Sequence, residues 1–194
     1  PYKTAIVTRG HHAGYYPGAK NMVLKLIFDE NGKIFGAQAV GEAGVDKRID
    51  VIATAIKGNL TVYDLPEIEI TYAPPYNSAK DPVNIAGYTA ENILKGDLEM
   101  VNYDEFWDFV KENNAVILDV RTSKEFTGGA IEGAININVD DLRENLQNLD
   151  KNKVYAIYCQ VGLRGYLANR IMRNNGFRAV NLNGGYNLWA KVNS

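Results

Sequence analysis

The one cysteine of the chain, Cys159, stands where an apolar, β-favouring run gives way to a helical pattern, in Val154-Tyr-Ala-Ile-Tyr-Cys-Gln-Val-Gly-Leu-Arg164. Gly162 lets the chain bend tightly, and a helix is predicted to start at about Leu163 or Arg164. A thiol there faces unpaired helical N–H groups and the positive end of the helix, which favour the reactive thiolate. The same residue type is also among those most often simply buried. The loop argues against that blander role. Successive amides over Gln160, Val161, Gly162 and Leu163 can form an anion-binding nest, and Arg164 adds a permanent charge that can fix the loop's shape. Asp119-Val-Arg121 ends another strand pattern, with both side chains on one side. Asp119 is expected to hold Arg164 or the loop amides, and Arg121 to meet an acidic partner or substrate. An ion pair between the two at the strand end is an equal expectation.

Other candidates are weaker. His11 and His12 are adjacent, and on a strand they would face opposite ways, which makes a poor metal site. No metal is therefore expected. Lys47-Arg48 reads as a solvated helix edge, although its cations could also meet phosphate groups. With 194 residues, 46% hydrophobic and 23% charged, the composition is globular. A net charge of −2 gives no reason to expect nucleic acid or an anionic membrane as partner. No apolar run approaches the roughly 20 residues that span a bilayer. A single cysteine excludes an internal disulfide framework and suits a reducing compartment, so a cytoplasmic location is expected. The opening Pro1-Tyr-Lys-Thr-Ala-Ile-Val7 is strand-like, carries no signal-peptide pattern and lacks an initiating Met, which reads as part of something longer.

Two groups of elements must position these residues. In residues 1–97, strands are predicted over Lys3–Val7, Met22–Phe28, Ile34–Val40 and Ile68–Tyr72. Asn31-Gly32 marks a hairpin. Ile49, Ile52, Ala53 and Ile56 have helical spacing and Gly58 closes that helix. Thr61 can cap a short helix to Leu65, and Asp81-Pro82 opens a further one. That order predicts an α+β unit with an antiparallel sheet. In residues 98–194, strands over Ala115–Val120, Ala134–Ile137, Val154–Tyr158 and Arg178–Leu182 alternate with helices over Tyr103–Lys111, Val139–Leu146, Arg164–Asn174 and Gly184–Lys191. Thr122-Ser-Lys-Glu125 is a capping box. Alternation predicts an α/β domain whose parallel sheet is covered by helices, with ligands beyond the strands' carboxyl ends. Cys159 lies at one of those ends.

Ile117-Leu-Asp-Val-Arg121, Glu125-Phe126, Gly129-Ala-Ile-Glu-Gly-Ala-Ile-Asn-Ile137, Tyr158-Cys-Gln-Val-Gly-Leu-Arg164 and Val180-Asn-Leu-Asn-Gly-Gly-Tyr-Asn-Leu-Trp189 together resemble a single rhodanese domain. The resemblance implies sulfane sulfur transfer. Cys159 attacks a donor, carries a persulfide in the loop of Gln160, Val161, Gly162, Leu163 and Arg164, and yields the outer sulfur to a nucleophile. Cysteine phosphatases share a Cys…Arg loop but place five residues between the two; here there are four, and Tyr158 stands where they commonly have His. A cup for one sulfur is favoured over one for a phosphate. Where many rhodaneses have Gly-His-Ile, this chain has Gly129-Ala130-Ile131. Because Gln160, Val161 and Leu163 are neutral, a thiol-bound persulfide or polysulfide is a better expected donor than a small dianion.

His11-His-Ala-Gly-Tyr-Tyr-Pro-Gly18, Gly36-Ala-Gln-Ala-Val-Gly41, Gly44-Val-Asp-Lys-Arg-Ile-Asp50 and Tyr72-Ala-Pro-Pro-Tyr-Asn-Ser-Ala-Lys-Asp-Pro82 resemble the dimerisation domain of flavin-dependent pyridine nucleotide-disulfide oxidoreductases, and the coenzyme A-disulfide reductases fused to a rhodanese in particular. That resemblance implies a homodimer formed through residues 1–97 and an intact parent that uses FAD, NAD(P)H and coenzyme A. The chain itself has no Gly-x-Gly-x-x-Gly fingerprint after a strand. Tyr15 and Tyr72, followed by Tyr16 and Tyr76, would approach the partner's redox cysteine and bound coenzyme A, where a phenol can donate to a thiolate. Packing of a dimer surface is the alternative role for these tyrosines. The competing expectation for the whole chain is a dimerising, catalytically silent binding module.

Overall fold

Alternate burial along Met22, Leu24, Leu26 and Phe28 turns every second side chain of one strand inward. In the computed structural model, which describes residues 1–193, that strand is β2 (Asn21–Phe28). It pairs antiparallel with β1 (Lys3–Gly10) and with β3 (Ile34–Gly41). The β2–β3 turn is closed by Asp29, whose carboxylate accepts the N–H groups of Asn31 and Lys33 at 2.9 Å each, and Gly32 takes φ +86°. Helices α1 (Val45–Lys57) and α2 (Pro82–Leu94) cover the sheet. Their Ile52, Ala55, Val83, Ala86 and Ala90 complete a core with Leu24, Leu26 and Phe28.

Three expectations for this unit need correction. Arg48 is not on a solvated edge: it is buried, donating to the Asp81 carboxylate at 3.0 Å, the His11 carbonyl at 2.8 Å, Asn77 Oδ1 at 3.0 Å and the Gly44 carbonyl at 3.1 Å. A helical arginine that turns inward is masked in sequence because its partners lie in three separate loops. Ile68–Tyr72 forms no strand. Side chains meet its backbone instead: Asn84 donates to the carbonyls of Leu65 and Ile68, and Asn77 to that of Thr71. Thr61 leads into a short 3₁₀ turn, Leu65–Glu67. His11 and His12 lie just past β1, with ring centroids 4.1 Å apart rather than on opposite faces.

Residues 1–96 form one compact unit, and the residues after them form a second. The second unit holds β4 (Met100–Val101), β5 (Val116–Asp119), β6 (Ile135–Asn136), β7 (Val154–Tyr158) and β8 (Arg178–Leu182). They form one parallel sheet in the order β4-β8-β7-β5-β6. The helices are α3 (Phe106–Asn113), α4 (Ser123–Thr127), α5 (Leu142–Asn145), α6 (Leu163–Asn174) and α7 (Gly185–Val192). α3 starts later than predicted because residues 102–105 form a turn, with the Glu105 N–H on the Asn102 carbonyl. α5 is short and passes into a 3₁₀ turn, Leu146–Asn148.

The sheet has a core on each face. Leu118, Tyr155, Ile157 and Cys159 point into one, with Ala168 and Met172 of α6. Ile117, Ala156 and Tyr158 point into the other, with Phe106 of α3 and, partly buried, Trp189 of α7. Period-two alternation along β7 thus sends Cys159 towards α6 and its neighbour Tyr158 to the opposite face. No helix among the described residues is long and apolar enough to cross a membrane.

Candidate active site

Cys159 follows the last residue of β7, the middle strand of the sheet, and α6 begins four residues later. The intervening turn bends back on the sulfur. Gly162, at φ +119°, donates its N–H to Cys159 Sγ at 3.2 Å. Only glycine adopts that backbone angle without strain. The carbonyls of Cys159 and Gln160 are held from behind: they accept the N–H groups of Tyr186 and Asn187, in the first turn of α7, at 2.8 and 3.0 Å. Among the described residues, nothing accepts the N–H groups of Gln160 and Val161. These free amides, beside a helix start, are what a nest for an anion requires. Cys159 is 1% exposed, while Leu163 of the same loop is half exposed.

Arg121 ties this loop to the rest of the unit. Its guanidinium is almost wholly buried and pairs with Asp119 through Nε at 3.0 Å and Nη2 at 2.6 Å. It also donates to the Gly129 carbonyl at 2.7 Å and to Gln160 Oε1 at 3.1 Å. Its charge lies 4.0 Å from the centre of the Tyr186 ring, a cation–π contact in a dry setting. The Gln160 amide meets Asn187 Oδ1 on its other side. Burial alone would lower the Arg121 pKa, but the Asp119 hydrogen bonds more than offset it and the group stays charged.

Of the two roles expected for Asp119 and Arg121, the ion pair is the one that the structure shows. Asp119 does not hold Arg164 either. That task falls to Glu125, whose carboxylate takes both terminal nitrogens of Arg164, at 2.8 and 2.6 Å. Arg164 and the Thr122 cap hold the Glu125 carboxyl well down, at about 2, and Glu125 in turn holds Arg164 above its ordinary value. Tyr158 accepts the Ile131 N–H at 3.1 Å, and burial keeps its phenol protonated far above the usual range.

Sequence reasoning missed Glu125, Gly129, Gly185, Tyr186 and Asn187 as parts of the site. Glu125 was hidden by its local role in a capping box, which it also fills. The signal for Gly185, Tyr186 and Asn187 was the Gly184-Gly185 pair one residue after a strand. Both take positive φ, and a Cβ on Gly185 would stand 2.8 Å from the Cys159 carbonyl.

In the first unit the structure brings two of the four singled-out tyrosines together. The exposed phenols of Tyr15 and Tyr72 are 3.3 Å apart, and that hydrogen bond is the main cause of a raised Tyr15 pKa. The loops that carry them are joined by the Ala13 N–H on the Asn77 carbonyl at 3.0 Å. Tyr16 packs edge-on against His12 instead, and Tyr76 is exposed at a turn. Among the described residues there is no cluster of three or more His, Cys, Asp or Glu side chains suited to a metal ion.

Comparison with known proteins agrees with this geometry. Residues 102–192 match the rhodanese-like domain, and residues 2–82 match the pyridine nucleotide-disulphide oxidoreductase dimerisation domain. The structure of reduced Bacillus anthracis CoADR-RHD is 49% identical over 99% of this chain and 34% of its own, with a TM-score of 0.95. The NAD-dependent persulfide reductase from A. fulgidus is 38% identical over 97% of this chain and 34% of its own, with a TM-score of 0.87. Among curated proteins, the coenzyme A disulfide reductase of Staphylococcus haemolyticus (strain JCSC1435) is 47% identical over 93 residues, 47% of this chain and 21% of that protein. The chain therefore spans about a fifth of that relative's length and about a third of the two solved chains. By sequence and by fold, residues 2–82 carry a pyridine nucleotide-disulphide oxidoreductase dimerisation domain and residues 102–192 a rhodanese-like domain.

Proposed function

We propose that the second unit is a sulfurtransferase that works through a persulfide on Cys159. The Cys159 thiolate attacks the outer sulfur of a donor R–S–SH. A new S–S bond forms, the donor's S–S bond breaks, and R–S⁻ leaves with the electron pair. A nucleophilic acceptor then takes the outer sulfur and returns the thiolate. The observation that supports this most directly is the Gly162 N–H on Sγ at 3.2 Å, in a loop whose first two carbonyls are occupied elsewhere. Such a cup stabilises the anion as thiolate and as persulfide without rearrangement.

The parent reading rests on the similarity to a coenzyme A disulfide reductase and a persulfide reductase. We infer that the whole protein reduces coenzyme A disulfide, coenzyme A persulfide or polysulfide with FAD and NAD(P)H. Residues 1–96 would join two copies in a homodimer, in the reducing cytoplasm. The paired phenols of Tyr15 and Tyr72 suit donation to a thiol leaving group, and flavin and nicotinamide would be held outside this chain.

Exposure to polysulfide, followed by intact-mass analysis, tests the sulfurtransferase reading. A gain of one or more sulfur atoms, lost in Cys159→Ala and removed by cyanide as thiocyanate, is expected. Equal behaviour of the two proteins would overturn it.

A further inference from the structure

We propose that Glu125 sets donor choice at Cys159: it cancels the charge of Arg164, so that the loop takes a persulfide carried on a thiol in preference to a dianion such as thiosulfate. This rests on the sulfurtransferase reading.

Two cations stand at the loop, and both are already paired. Arg121 is buried against Asp119, and Arg164 is gripped by both oxygens of Glu125. Glu125 is not free to swing away. Its Oε2 also accepts the Thr122 N–H at 3.0 Å and the Thr122 hydroxyl at 2.8 Å, the reciprocal half of the capping box of α4. Its depressed pKa keeps it ionised throughout the neutral range. The remaining loop side chains, Gln160, Val161 and Leu163, are neutral, and Leu163 offers an exposed apolar surface.

Thiosulfate reacts by the same displacement: Cys159 S⁻ bonds to the outer sulfur, the S–S bond breaks and sulfite departs with the pair. The difference is electrostatic. Thiosulfate brings two negative charges to a buried thiolate and meets two arginines that are already paired. A thiol-bound persulfide brings one charge or none at its reacting end, and its organic body can lie against Leu163.

The test compares kcat/KM for thiosulfate with that for glutathione persulfide, cyanide being the acceptor, in the full chain and in Glu125→Gln. Freeing Arg164 is expected to raise the thiosulfate-to-persulfide ratio about tenfold, the order expected when one partly screened charge meets a dianion, and added salt should erase the gain. A folded Glu125→Gln protein with an unchanged ratio overturns the proposal while leaving sulfur transfer standing. If Glu125→Gln does not fold, Leu163→Lys places a new cation at an exposed position and should raise the ratio in the same way; an unchanged ratio in that protein overturns the proposal equally. A wild-type chain that transfers sulfur from neither donor overturns the sulfurtransferase reading, and this proposal with it.

Discussion

Cys159 is positioned through its backbone as well as through its sulfur. Its carbonyl and that of Gln160 point to the amides of Tyr186 and Asn187, and this contact needs a residue without a side chain at Gly185, whose φ is +68°. Gly185→Ala is therefore a test of positioning. The added methyl would sit 2.8 Å from the Cys159 carbonyl and 2.9 Å from that of Gln160, neither of which is a flexible side-chain end. The loop must move, and a shift of the order of 1 Å in a reacting group costs about a hundredfold in rate. We expect sulfur transfer to fall by about that factor in stopped assays with cyanide, while circular dichroism reports a folded protein. Wild-type rates would refute the clamp. At this scale the candidate nucleophile was legible in sequence because its loop is contiguous. Glu125, 39 residues from Arg164, was not, since a local pattern already accounted for it. Arg121 was legible as charged but not as buried, because its partners come from β5, the turn at Gly129 and the loop itself.

Elements with strong periodicity were readable, and those held by side-chain hydrogen bonds were not. β2, β7, α1 and α6 follow from alternation or helical spacing. Ile68–Tyr72 has the composition of a strand, yet Asn84 and Asn77 satisfy its carbonyls from outside any sheet. The same lesson holds at Arg48. One guanidinium joins the turn after β1, the start of α1 and the N-cap of α2, and thereby fixes the loops that carry Tyr15 and Tyr72. Arg48→Met fills similar space but leaves the Asp81 carboxylate buried without its partner. Removing one member of such a pair costs about 3–5 kcal/mol. Chemical denaturation of the chain should show that loss in the transition of the first unit. A loss below about 1 kcal/mol would mean that water reaches Asp81 and that the clamp is dispensable.

For the whole molecule, the decisive fact is where each core draws its side chains. The first core takes buried residues from Ala5 to Ala90, and the two cores of the second sheet take theirs from Val101 to Leu182. Each unit has close to a hundred residues and its own sheet, a size at which independent folding is ordinary. The residues proposed for the sulfur chemistry also share one side of the seam between the units: Cys159, Gly162, Arg164, Glu125, Arg121 and the start of α7 all follow it. Residues 97–194 made alone should therefore unfold in one cooperative transition and acquire a sulfur on Cys159 at a rate within about twofold of the full chain. Calorimetry and intact-mass time courses on the two proteins decide this. If the shorter chain is unfolded, or gains sulfur far more slowly, the first unit contributes stability or a group that the separation of cores does not reveal. If the rates agree, the second unit owns its chemistry, and the phenol pair on the first is left to act on a different reaction.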